Sequence, residues 1–137
     1  PTGAPTVWKN TGQRSEVATS SYPLFAGLRA SIALHDEWGT ATERYGIICD
    51  RAERLWSGLR AIEGIDCLAR SAPRSGLVSF AIASGQHAQL VTWLEARGFM
   101  LRTILEPDCV RACVHYFTAD DEIARLLAAI AEFLDLA

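Results

Sequence analysis

Several things are scarce in this sequence, and each scarcity excludes something. No stretch approaches the roughly eighteen uninterrupted apolar residues of a membrane-crossing helix. The opening PTGAPTVWKN also lacks the apolar centre of a secretory leader. Positive charge is not in excess: the net charge is -3 and the pI about 5.6. That excludes the broad basic surface by which nucleic acid or an anionic membrane is held. Cysteine is limited to Cys49, Cys67, Cys109 and Cys113. These lie in or beside apolar patterns without framework spacing, so they read as reduced, packed thiols. There is no internal repeat. The chain is expected to be cytoplasmic, with no nucleic-acid or membrane partner.

What is present amounts to one core. Half of the 137 residues are hydrophobic, which suits one domain or one and a fraction. Residues 1 to 20 differ from the rest: they are rich in Thr, Ser, Gly and Pro, show little periodicity, and begin on proline, as though in the middle of a longer chain. Beyond them, Leu24, Leu28, Ile32 and His35 recur at helical spacing from Pro23 until Gly39. Thr40 and Glu43 form a capping-box signature ahead of Ile48, Ala52, Leu55, Leu59 and Ile62, a long amphipathic helix stopped by Gly64. Strands are expected at 65–69 and 76–83, a helix at 86–97, strands at 99–104 and 110–117, and a last helix at 119–136 capped by Thr118 with Asp121. The order α, α, β, β, α, β, β, α predicts a small mixed sheet covered by helices, an α/β domain.

Within LRTILEPDCVRAC, two arginines sit in otherwise apolar strand patterns. Alternation places Val110, Ala112, Val114 and Tyr116 on a core face and Arg111, Cys113 and His115 on the other. Arg102 is expected near the end of the preceding strand, across the short EPDC connection. Neither arginine can lose its proton, and the nearest acids, Glu106 and Asp108, read as turn residues. Two readings stay open. Each arginine pairs with some surface acid, or the two forks converge on a carboxylate ligand. A metal site from Cys109, Cys113 and His115 is disfavoured, since only two of the three share a strand face and no fourth ligand is evident.

Two longer stretches carry a resemblance. RSEVATSSYPLFAGLRASIALHDEWG resembles the R-F-E-x-[AG]-T segment and following helix of class V aminotransferases of the cysteine desulfurase type. LRTI and VRACVHYFTADDEIARLL resemble that family's V-R-T-G, R-A-S and aromatic-strand pattern with its acidic helix; SAPRSGLVSF and EPDC bring the chain nearest to the cysteine/cystine C-S lyases. The resemblance implies the C-terminal part of a fold type I pyridoxal phosphate enzyme, a homodimer. Residues 1–39 would be the end of the cofactor domain and residues 40–137 the small domain. It further implies that Arg102 and Arg111 hold the carboxylate of a cysteine or cystine substrate, and that Thr19 contacts the cofactor phosphate.

Two departures from the family pattern limit this. Desulfurases carry a nucleophilic cysteine five residues after the first arginine, where this chain has Pro107, so a persulfide carried on the enzyme is not expected. Cys109, close by, is expected to be packed. The cofactor lysine is also absent: the single lysine, Lys9, lies in PTVWKNTG and outside any His-Lys motif followed by glycines. The segment alone is therefore expected to be inactive, within an enzyme that cleaves a carbon-sulfur bond by β-elimination. The alternatives are an epimerase or aminotransferase of the same family, or a non-catalytic binding or dimerisation module.

Overall fold

The computed structural model describes Val7, Asn10, Thr11 and residues 21–136. The chain divides into two units, Pro1–Trp38 and Gly39–Ala137. In the first unit, helix α1 (Tyr22–Glu37) starts with Pro23 in its first turn, where a missing N–H costs nothing. The row predicted from its spacing is there, but Leu24, Leu28 and Ile32 are all exposed.

The second unit opens with α2 (Ala41–Arg60). Its capping box forms as the sequence predicts: the Glu43 N–H donates to the Thr40 hydroxyl (3.2 Å), and the Thr40 N–H donates to the Glu43 carboxylate (2.7 Å). Together with the Thr40 hydroxyl, that backbone bond holds the Glu43 carboxyl below its ordinary value. A depressed folded value means that the contribution is present above the ordinary carboxylate range and is lost as pH falls through the depressed value. Thr40→Ala removes one half of the box and costs about 1 kcal/mol in urea unfolding. An unchanged midpoint would show that the box does not support α2.

The remaining elements are β1 (Ile65–Cys67), β2 (Leu77–Ile82), α3 (His87–Glu95), β3 (Arg102–Leu105), β4 (Asp108–Cys113) and α4 (Asp120–Leu136). The α/β class is as expected. Sheet order is β1-β2-β4-β3, and all three pairings are antiparallel rather than mixed. The cause is an inserted strand. β2 and β3 run in the same direction, joined by the α3 crossover, but β4 turns back between them, so every hydrogen-bonded neighbour is antiparallel. One face of this sheet carries Val78, Phe80, Ile82, Val110 and Ala112, all buried against Leu55 and Leu59 of α2, Leu90 and Leu94 of α3 and Ile130 of α4. Each of these side chains larger than alanine contributes about 1.5 to 3 kcal/mol by leaving water.

Most boundaries move by one to three residues from the sequence expectation, and three of the differences have a visible cause. The strand expected from Phe99 begins at Arg102, because the Phe99 N–H donates back to the Leu94 carbonyl (3.0 Å) across Gly98, whose φ is +85°. That helix ending uses up the first residues of the apolar run, and Arg102 starts its strand instead of ending it. The strand expected through Phe117 stops at Cys113. Beyond it the His115 N–H donates to the Thr118 hydroxyl (2.9 Å) and the Thr118 N–H to the His115 carbonyl (3.0 Å), a turn that leaves Phe117 exposed. At the start of α4, the Glu122 carboxylate accepts the Ala119 N–H (2.7 Å), one residue on from the Thr118 and Asp121 pair. Among the described residues, no helix is long and apolar enough to cross a membrane.

Candidate functional site

The second face of the sheet carries the unusual chemistry. Alternation along β4 buries Val110, Ala112 and Val114 and leaves Arg111 half-buried and Cys113 exposed. The register then does what spacing alone could not specify. Arg102 of β3 lies directly opposite Arg111, and Ser79 of β2 lies opposite Arg111 on its other side. Directly paired residues share a face, with backbones roughly 5 Å apart. Ser79, Arg111 and Arg102 thus form one row across three strands.

Two like charges directly opposite each other destabilise a sheet. Nothing among the described residues offsets this: neither Arg102 nor Arg111 makes an ion pair, and the buried Nε of Arg111 has no hydrogen-bond partner. The surface-acid reading of these arginines therefore fails for the described residues. The two nearby acids are placed elsewhere. Glu106 and Pro107 make the two-residue turn between β3 and β4, and Asp108 bonds to His87.

The other candidates add no reactive group to the row, although Cys109 shares its strand face two residues before Arg111. Cys109 is 1% exposed and packed, and burial pushes the Cys67 thiol up, away from nucleophilic use. Among the described residues, no three His, Cys, Asp or Glu side chains gather as metal ligands would. Thr19 and Lys9 lie outside the described residues. A cavity of about 300 Å³ opens between Met100, Cys113 and the start of α4, and neither arginine lines it. The arginine row sets a half-buried guanidinium beside an exposed one, an arrangement of donors suited to an anion.

Sequence reasoning missed two members of this region. Ser79 interrupts the apolar letters of GLVSFAIA at the alternate position, a signal that period-two reading would have found. The link between His87 and Asp108 joins residues far apart in sequence and left no local signal.

No protein-family model and no curated protein matches the chain. Among solved structures, it is similar to the cystine C-S lyase C-DES in complex with its reaction product cysteine persulfide. A C-DES mutant with glycine linked covalently to its pyridoxal phosphate cofactor matches equally well. Each comparison gives 51% identity and a TM-score of 0.84, over 95% of this chain and 34% of that one. A NifS-like protein shares the fold at 16% identity and a TM-score of 0.61, over 70% of this chain and 29% of its own. The chain spans about a third of the length of these proteins. With half of its residues identical to C-DES along nearly all of its own length, the chain belongs to the class V aminotransferase and cysteine desulfurase family.

Proposed function

We infer that this chain is the C-terminal part of a pyridoxal-phosphate-dependent enzyme that cleaves a carbon-sulfur bond of cystine or cysteine by β-elimination. The observation that carries the reading is the Arg102–Arg111 pair, two charges set side by side with no acid among the described residues to meet them. Identity with C-DES, a cystine C-S lyase by its description, supports the substrate class. In this reading residues 1–39 end the cofactor domain, residues 40–137 are the small domain, and the whole enzyme is a cytoplasmic homodimer in which Thr19 contacts the cofactor phosphate.

The described residues contain no lysine, so they fit the substrate and not the covalent anchoring of the cofactor. Pyridoxal phosphate, bound by the rest of such an enzyme, supplies the electron sink for loss of the α-proton. The chain's own contribution is orientation. Two planar forks can each give parallel N–H bonds to the α-carboxylate, which fixes the substrate and sets the direction of its α C–H bond. Ser79, beside Arg111, adds a hydroxyl to the same row.

The test is product analysis on the full-length enzyme given cystine. The expected result is cysteine persulfide, with pyruvate and ammonia from the remaining three-carbon fragment, and no need for a keto-acid acceptor. Turnover that requires an acceptor, or racemisation without sulfur release, would make the enzyme an aminotransferase or epimerase. A separate outcome concerns the segment alone: mixed with pyridoxal phosphate and borohydride, its single lysine, Lys9, acquires no cofactor mass above that of a scrambled control. Stoichiometric labelling of Lys9 would contradict the division of labour proposed here.

A further inference from the structure

The ladder between β2 and β4 runs from the Leu77–Cys113 pair to the Phe80–Val110 pair. Just past its end, a side chain takes over. His87, 5% exposed in the first turn of α3, accepts the Ile82 N–H at Nε2 (3.1 Å) and meets Asp108 Oδ1 at Nδ1 (2.9 Å). Because Nε2 faces a donor, the ring proton lies on Nδ1, and Nδ1–H donates to the Asp108 carboxylate. The imidazole thereby bridges the end of β2 and the first residue of β4.

Asp108 also closes the β3–β4 hairpin, opposite Leu105. Among the described residues β3 is an edge strand, hydrogen-bonded to β4 alone, and Arg102 sits at the end of the hairpin remote from the turn. A strand paired on one side only is held less firmly than one paired on both, and a small rotation at the turn becomes a larger displacement at the open end. We propose that Asp108, held by His87, is a positioning residue for the arginine pair: the bridge fixes the turn, and so keeps Arg102 where it and Arg111 reach one carboxylate. This rests on the carboxylate-binding reading above.

The arrangement separates positioning from folding. The Asp108 side chain is 68% exposed, so losing its carboxylate removes little packing and opens Nδ1–H to water. In the full-length enzyme, Asp108→Ala is expected to raise KM for cystine about five- to tenfold, with kcat changed less than about twofold and the melting temperature within about 2 °C. Asp108→Asn keeps the Oδ1 acceptor and restores the KM. In an Arg102→Ala background, Asp108→Ala has no further effect, because the group through which it acts is gone. Three outcomes overturn the proposal alone while Arg111→Ala still raises KM: an unchanged KM in Asp108→Ala, a full additional effect in the double variant, or a lowered melting temperature with KM intact. An unchanged KM in Arg111→Ala itself overturns the carboxylate reading together with it.

Discussion

Replacing Arg111 by alanine in the full-length enzyme is expected to weaken substrate use by about 2 to 5 kcal/mol, more than about thirtyfold in kcat/KM. The magnitude follows from a charge-assisted, two-pronged contact in a partly desolvated place, and Arg111 is the more enclosed of the pair, half-buried where Arg102 is exposed. Folding should suffer much less. Among the described residues Arg111 pairs with no acid, so its removal strands no buried carboxylate. It also relieves the repulsion from Arg102 opposite. Arg111→Lys should not restore activity, because an ammonium is a point charge without the fork that matches a carboxylate. Arg102→Ala should lose less than Arg111→Ala, since an exposed charge is better solvated in the free enzyme. Steady-state kinetics with thermal melts on the three variants decide it. Near-normal turnover with a large drop in melting temperature would mean that the arginines serve the fold, and the substrate reading would fall.

The parts of this site that were legible in sequence are those written in local periodicity. Alternation in VRACVHY separated Val110, Ala112, Val114 and Tyr116 from Arg111, and all four are buried. The four-and-three spacing of Ala52, Leu55 and Leu59 gave the buried stripe of α2 in the same way. Pairing was not legible. Nothing in either strand says that Arg102 meets Arg111; the two-residue Glu106–Pro107 turn does, once its ends are known, by making Leu105 and Asp108 the first pair. Strand order was hidden for a similar reason, since the insertion of β4 between β2 and β3 is decided by the whole sheet. Boundaries failed where a polar group competed for the backbone: Thr118 captured the His115 N–H and ended β4 inside a run of strand-forming aromatics.

The other large effect expected is structural, at Gly76. A Cβ built there would lie 2.1 Å from the Val114 carbonyl oxygen and 3.2 Å from Ile48 Cγ2. This is also where the Val114 N–H donates to the Gly76 carbonyl (2.8 Å), one step beyond the Leu77–Cys113 pair. The obstacle is backbone, and backbone in a sheet yields only by giving up its pairing. Gly76→Ala should therefore separate β2 from β4 at this end and cost about 3 kcal/mol. Gly58 in α2 provides the control. A Cβ there would come within 2.3 Å of Leu127 Cδ1, a comparable clash by distance alone. Yet that atom ends a flexible side chain, which can turn away, and alanine gains about 1 kcal/mol over glycine inside a helix. Gly58→Ala should accordingly stay within about 1 kcal/mol of the parent. Urea unfolding of both variants separates the cases: equal losses would mean that Gly76 is no tighter than Gly58 and that β4, with Arg111 on it, is not fixed against β2 by this contact.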